Sequence, residues 1–446
     1  MTLARIWEAR AYGDAPVRHC WWAETAPTGE WPALDGDHRT DVAIIGAGFT
    51  GLNAALHLAE AGQGVTVLDA QHPFWGASGR NGGFCCLGGA KAGFDDMAKR
   101  FGEGEARLWC RAERAAVDHV EGLLDRLDLR VDRHSDGETL LAHRPRDFDE
   151  MRDSLAHIRD LYGVEPRLIP RAELAQAGLS GGNFHGAVTT PLGFALNPRK
   201  YASGLARAAG RAGARIHGQS PVTAVEPLPQ GGYRLHCETG SVIARRFIVA
   251  TNGYSSDNLP GWMAGRYLPT QSAILVSRPI TAEEQRAQGW TSLQMCYDTR
   301  NLLHYFRLMP DGRMLFGMRG GIAHSKRSEA AIRRKIRADF DSFFPAWRHV
   351  ETPHFWSGFV CLTRDLLPYA GPIPGMEGGF AGFAYHGNGV SMGSYAGALL
   401  ADLAQGKTPD RPFPAPMRHT PRRFPLGRFR RWLMMPALMR YAWADR

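Results

Sequence analysis

Gly46-x-Gly48-x-x-Gly51, read together with Asp69 eighteen residues further on, supplies the residue types that hold a dinucleotide. Gly46 permits a tight turn off a strand, Gly48 presents no Cβ to a pyrophosphate, and Gly51 lets a helix lie close to that strand. Thr50 falls where the helix begins, so unpaired backbone N–H groups and the positive helix end would face phosphate oxygens. Asp69 offers acceptors to ribose hydroxyls. Three further stretches have the same character of low bulk and many hydrogen-bonding groups. They are the loop Gly76-Ala-Ser-Gly-Arg-Asn-Gly-Gly83, the turn Thr251-Asn-Gly253 and the segment His386-Gly-Asn-Gly-Val390, which feeds a helix N-terminus. One glycine loop serves any dinucleotide. Several that converge suit a long cofactor with a second ring system, which separates FAD from NAD.

The elements that must position these groups follow from apolar periodicity. Val42–Ile45 and Val65–Leu68 read as buried parallel strands flanking one helix. Glu103–Leu127, Phe148–Leu161, Arg199–Ala212, Ser328–Phe344 and Ser391–Gln405 read as helices. Gly137–Ala142, Arg215–His217, Val222–Val225, Tyr233–Cys237 and Ser241–Ile243 read as strands, followed by the strand from Arg246 to Gly253. Tyr267–Val276, Leu302–Met309 and Arg313–Met318 read as a further sheet. On its second strand, alternation sets His304, Phe306 and Leu308 on one face and Tyr305 and Arg307 on the other. The expected architecture is α/β plus α+β: a Rossmann-like FAD-binding domain with an interleaved antiparallel-sheet substrate domain. The boundaries expected are an N-terminal arm over 1–40, the FAD-binding domain over 41–95, 181–262 and 350–410, the substrate domain over 96–180 and 263–349, and a basic tail over 411–446. The four tryptophans of the arm are expected to pack on the body, since leaving them in water is costly.

A chain of 446 residues with 44% hydrophobic and 22% charged content suits a globular enzyme of two or three domains. No apolar run reaches the ~18 residues that cross a bilayer, and MTLARIWEAR lacks the apolar stretch of a secretory signal. Seven scattered cysteines indicate a reducing, cytoplasmic setting rather than a disulfide framework, and no Cys/His spacing suggests a metal. The adjacent Cys85 and Cys86 read as small space-filling residues before a redox pair. The net charge of +9 sits in the tail, where residues 411–446 hold nine Arg against one Asp and the rest is nearly neutral. That tail suits an anionic membrane surface, nucleic acid, or a helix that packs its apolar side on the body with Arg outward. The last reading is preferred, and no nucleic-acid partner is expected.

Taken together, Cys20-Trp-Trp, the loop at 76–83, Ala250-Thr-Asn-Gly, Trp356-x-Gly358, Thr363-x-Asp365-x-x-Pro368 and His386-Gly-Asn-Gly-Val390 resemble the FAD-dependent amine and amino-acid oxidoreductases related to D-amino-acid oxidase and sarcosine oxidase. Within that group the loop at 76–83 is most similar to the gamma-glutamylputrescine oxidoreductases. The resemblance implies that Gly46, Gly48, Phe49, Thr50, Gly51, Asp69 and Ala70 hold the ADP half of FAD. The family more often carries Glu where Asp69 stands. Ser78, Arg80, Asn81 and Gly82 would line the pyrophosphate and the flavin edge, Val222 the adenine, and Thr251 and Gly253 the length of the cofactor. Gly387, Asn388, Gly389 and Val390 would present N–H groups to the flavin's N1–C2=O side.

The implied reaction is hydride transfer from the carbon beside an amine to flavin N5, giving an imine that water hydrolyses. Oxygen or another carrier would take the electrons. His386 is the expected acceptor for the amine proton, or else a histidine bonded to its own loop. Arg307 or Arg319 is the expected clamp for a substrate carboxylate, with Tyr305 on the same strand. Lys326 lies near the position where relatives carry an oxygen-activating lysine, but past the site. Monomeric sarcosine oxidases link FAD to a Cys where this chain has Gly358, with Cys361 out of register, so non-covalent FAD is expected. A flavoprotein that modifies tRNA through the basic tail, and an NAD-dependent dehydrogenase, are the alternatives.

Overall fold

The computed structural model describes residues 3–445, so Met1 and Thr2 of the arm and Arg446 of the tail lie outside the described residues. Its first sheet is mostly parallel, in the order Tyr369–Pro372, Gly379–Phe383, Gly240–Val249, Gly36–Ile45, Val65–Leu68, Arg215–His217. The last four residues of the fingerprint strand, Val42–Ile45, are fully or nearly fully buried because helices cover the sheet. The helices Phe49–Glu60 and Ser391–Ala404 are apolar nearly all round, and they pack together in the same core as Val42, Ile44, Val65 and Val67.

The second sheet runs His354–Leu362, Leu268–Pro279, Arg313–Arg319, His304–Leu308, Met295–Asp298, Glu138–Leu141, Gly186–Thr190, Arg167–Pro170. Every pairing in it is antiparallel except Met295–Asp298 with Glu138–Leu141. A separate aromatic core, including Trp290, Phe306, Phe316, Phe340 and Trp347, backs it. The chain is therefore a Rossmann-like domain interleaved with a largely antiparallel second domain, as its sequence indicates.

Several boundaries differ from the sequence reading. The fingerprint strand starts at Gly36 rather than Val42, and Gly240–Val249 is one strand where two were expected. That strand pairs with Gly36–Ile45 along its whole length, and its first half also carries the hairpin strand Tyr233–His236, which bridges the apparent break. The helix Glu103–Arg126 buries Ala106, Trp109, Val117 and Val120 in the core of the first sheet and so belongs to that domain. Gly186–Thr190 and His354–Leu362 belong to the second sheet. The arm packs on the body as expected: the Trp7 indole donates to the Pro269 carbonyl (3.0 Å) and the Trp22 indole to that of Asn81 (2.8 Å). The tail does not follow its expected pattern. Its helix Met434–Ala444 turns large apolar side chains outward, whereas Arg430 is fully buried.

Candidate active site

Two cavities meet where the sheets face each other. The first follows the fingerprint and encloses about 1390 Å³ counted out to its mouths. Gly46, Gly48, Phe49, Thr50, Asp69, Ala70, Ser78, Asn81, Val222, Thr251, Gly387, Gly389 and Val390 line it. Gly46 turns at φ +102°, and a Cβ on Gly51 would lie 1.9 Å from the Gly46 carbonyl oxygen. The glycines thus let the helix begin directly against the strand end. Gly48 stands clear of Ser78, whose Oγ accepts from the Phe49 N–H at 2.9 Å. Asp69 does more than offer acceptors to a ligand: one carboxylate oxygen accepts from the Ala47 N–H (2.8 Å) and the other from that of Gln71 (2.9 Å), which fixes the turn.

The cavity fits FAD on two observations. Neither N-cap residue, Gly48 or Val390, caps its helix with a side chain, so apart from the Phe49 N–H held by Ser78 the first N–H groups and positive ends of Phe49–Glu60 and Ser391–Ala404 are left for a ligand. Arg5, from the arm, lines the same cavity with its Nε unpartnered and no acidic partner among the described residues, and it would neutralise a phosphate. The sequence reading missed Arg5 because nothing local marks it. Of the other expected ligands, Gly51 and Gly253 shape the walls from behind. Arg80, Gly82 and Asn388 face the second cavity instead. Arg80 is buried, donating to the carbonyls of Trp75, Gly76 and Ser357 with its guanidinium 4.1 Å from the Trp75 ring, so it fastens the loop at 76–83.

The second cavity shares Ala77, Asn81, Phe359, Val360 and Gly387 with the first and encloses about 1100 Å³. Its polar wall comprises Lys91, Arg319, Glu138, Tyr297, Tyr305 and Ser272. Arg319 donates to the His386 carbonyl (3.2 Å), and neither Arg319 nor Lys91 forms an ion pair among the described residues. Beside that guanidinium the Lys91 amine is pushed down toward about 7, although the residue is exposed and solvent weakens the effect. The guanidinium charge is the largest cause. Tyr305 stands over Gly82 and Gly317, its hydroxyl 2.8 Å from Ser272 Oγ, which in turn donates to the Met318 carbonyl.

Two expected catalytic residues are placed otherwise. His386 lines the first cavity, but its ring is fully committed: Nδ1 donates to the Gly89 carbonyl (3.0 Å) and Nε2 accepts from the Thr363 N–H (3.4 Å). Burial, with Lys91 and Arg319 nearby, pushes it down to about 3. It is a neutral loop-fixing histidine with no lone pair left for a substrate proton. Arg307 lines neither cavity. It donates to the carbonyls of Gly82 (3.0 Å) and Leu196 (2.7 Å) and to His134 Nε2 (2.8 Å), tying the loop at 76–83 to the second sheet. Lys326 opens a surface helix beside Arg10 and Arg18, away from both cavities. Lys91, Glu138 and Tyr297 were not found from sequence; they reach the cavity through pairings between segments far apart in the chain.

Glu138 is buried, with the Tyr297 hydroxyl and Cys86 thiol beside it, and adjoins a smaller chamber that also holds Glu113. Burial raises Glu138 to about 8 and Glu113 to about 7. Both therefore stay protonated in the fold while the unfolded chain ionises above 4.5. Stability should be full below that value and fall as pH rises to about 8. Thermal midpoints measured across this range should decline, and Glu138→Gln should flatten the decline. A variant with an unchanged pH dependence would show that Glu138 is not held protonated.

Comparison with known proteins agrees with this geometry. Residues 41–403 match the model of the family described as FAD dependent oxidoreductase. The chain is 30% identical over 431 residues to the probable oxidoreductase OrdL of Rhizobium meliloti (strain 1021), covering 96% of this chain and 97% of that one. It is 28% identical over 393 residues to the gamma-glutamylputrescine oxidoreductase of Escherichia coli (strain K12), covering 87% and 88%. Glycine oxidase from Geobacillus kaustophilus has the same fold, with a TM-score of 0.70 at 21% identity, over 85% of this chain and 98% of that one. With its cofactor fingerprint, both helix ends and most of its length inside the matched region, the chain belongs to the FAD dependent oxidoreductase (DAO) family.

Proposed function

We propose that this protein oxidises a C–N bond in a small amine that carries a carboxylate, an N-substituted amino acid or a compound like gamma-glutamylputrescine, to an imine that water hydrolyses. Family membership sets aside the NAD-dependent alternative. Bound FAD supplies the two-electron oxidation, and the protein's residues supply position and proton control. The observation that carries the reading is the unpaired Arg319–Lys91 wall of the second cavity, where Arg319 abuts Gly387 at the junction with the first. A guanidinium without an acidic partner calls for an anionic ligand, and it matches a carboxylate by two parallel hydrogen bonds.

The substrate amine must lose its proton before it can be oxidised. With His386 committed to the loop, Lys91 is the acceptor in this reading, since an amine near 7 is largely neutral at slightly higher pH. The sign is fixed: protonated Lys91 cannot accept, so the rate at saturating substrate should rise as pH passes through about 7. Lys91→Met should lose that limb of the profile. A variant that keeps it would assign the proton elsewhere.

FAD should be held without a covalent bond. Cys361 lines the first cavity, but burial pushes its thiol up to about 12. At Gly358 a Cβ would lie 2.9 Å from the Arg80 side chain, leaving no room for a cysteine. Acid precipitation should therefore leave a colourless pellet and a yellow supernatant. A yellow pellet would overturn this.

The function itself is tested by anaerobic mixing with amines and N-substituted amino acids, following loss of flavin colour. Gamma-glutamylputrescine should bleach the flavin and putrescine, which has no carboxylate, should not. Equal bleaching by both would remove the carboxylate from the reading. Repeating the active compounds in air with peroxide detection identifies the electron acceptor.

A further inference from the structure

The tail holds most of the large hydrophobic side chains that the fold leaves in water. Among the described residues nine large hydrophobic side chains are exposed, and seven of them lie between positions 426 and 443. Monomeric proteins rarely gather such side chains on one face without a use for them. The 3₁₀ turn Gly427–Leu433 runs directly into the helix Met434–Ala444, and Trp432, Met435, Met439 and Trp443 follow one another at steps of three, four and four. That spacing puts them in a single stripe. Met439 is 69% and Trp443 74% exposed.

The opposite side of the same segment is firmly attached. Met434 is buried, and Leu438 and Phe424 pack with it against the cluster of Trp7 and Phe359. Arg430, fully buried, makes a two-pronged pair with Asp257 (2.6 and 2.8 Å), and Arg431 pairs with Glu8 (2.9 Å). At the far end Asp445 accepts from the N–H groups of Asn301 (2.8 Å) and Leu302 (2.9 Å). The stripe is thus a presented surface on an anchored segment.

We propose that this stripe docks the protein on the surface of an anionic phospholipid bilayer. Trp432, Met435, Met439 and Trp443 would enter the boundary between headgroups and acyl chains, where tryptophan is favoured and a short amphipathic helix lies in the plane. Arg423, Arg428 and Arg440 of the same tail, exposed and without ion pairs among the described residues, would meet lipid phosphates. No helix of the described residues is long and apolar enough to cross a membrane, so the contact is superficial. A second copy fits less well, because a twofold contact would set these arginines against one another with no free acid in the stripe. RNA fits less well again. Arg411, Arg422, Arg430 and Arg431 are already paired with Asp402, Asp365, Asp257 and Glu8. Too few are left for a strong polyanion footprint.

The test uses the full-length, flavin-loaded protein and sedimentation with vesicles. Vesicles rich in phosphatidylglycerol should carry it down and vesicles of phosphatidylcholine alone should not. Met439→Glu with Trp443→Glu should reduce the bound fraction about tenfold or more. Flavin absorption should be unchanged, which separates lost docking from lost folding. Replacing Arg423, Arg428 and Arg440 by Gln should remove the preference for the anionic lipid. No binding to anionic vesicles, or equal binding by the double variant, overturns the proposal. So does a concentration-dependent dimer that the double variant abolishes, which would assign the stripe to a second copy. A shift with RNA that the double variant loses, without vesicle binding, would assign it to nucleic acid.

Discussion

Alanine in place of Gly51 is expected to give a protein that purifies without flavin colour. The added Cβ would sit 1.9 Å from the Gly46 carbonyl oxygen and 3.2 Å from the Ile44 side chain. The first of these is backbone in the turn itself and has no rotamer to change. Relief requires the helix Phe49–Glu60 to move off the strand, and with it the N–H groups that face the first cavity. Overpacking a tight site costs about 1–3 kcal/mol, and a clash with backbone belongs at the upper end. Cofactor affinity should fall by about a hundredfold. Gly104→Ala is the control: it lies in the helix Glu103–Arg126 with nothing within 4 Å of the added methyl, and the gain in helix propensity should leave colour and stability intact. Flavin content per protein, read from absorption, decides the matter. A Gly51→Ala variant with full flavin content would show that the helix start can shift without loss of the site.

Arg319→Met should leave the flavin bound while lowering kcat/KM for carboxylate-bearing amines by about a hundred- to a thousandfold. Hydrogen bonds to a charged partner contribute about 1.5–3 kcal/mol each where one side would be left unpaired, and each ~1.4 kcal/mol is tenfold. Amines without a carboxylate should lose little, which distinguishes anchoring from a general disturbance. The paired variant Arg307→Met separates the two arginines that the sequence offered. Because Arg307 holds Gly82 and Leu196 carbonyls and faces no cavity, its loss should lower the thermal midpoint and change all substrates alike. If instead Arg307→Met shows the selective loss and Arg319→Met does not, the carboxylate is bound elsewhere than at the junction. Lys91→Met would be ambiguous in this comparison, since Lys91 combines charge with a proton site.

The parts of this molecule legible in sequence are those whose chemistry lies in one unbroken stretch. Gly46 to Asp69 states a strand, turn, helix, strand and acid in order, and the loop at 76–83 carries its own hydrogen-bonding pattern. Residues such as Thr50, Ser78, Val222 and Val390 accordingly line the cavity the sequence implied. Glu138 reaches the second cavity because Glu138–Leu141 pairs in parallel with Met295–Asp298, a contact across more than a hundred residues that no local period announces. Lys91 is charged and flanked by small residues, which reads as an ordinary surface loop until Arg319 is brought beside it. Sequence left His386 open between a proton acceptor and a histidine bonded to backbone, because the partners that decide it, Gly89 and Thr363, are main-chain atoms of remote segments. Alternation placed Tyr305 and Arg307 on one face. It could not say that the glycine loop ends over Tyr305 and that Arg307 reaches behind it.

The walls of the first cavity come from the whole length of the chain. Leu3, Arg5 and Tyr12 of the arm close one side, while Tyr385 to Val390 close another. The arm is itself held by Arg431 through Glu8. During synthesis, then, no nascent fragment short of the region around residue 390 can hold the cofactor. The parallel strands Gly36–Ile45 and Gly240–Val249 must wait for each other across some two hundred residues, with apolar faces uncovered in the meantime. Bound flavin would draw the equilibrium toward the finished fold by mass action. The steady level of this protein should therefore follow the supply of flavin, with unfilled chains the first to reach chaperones and proteases.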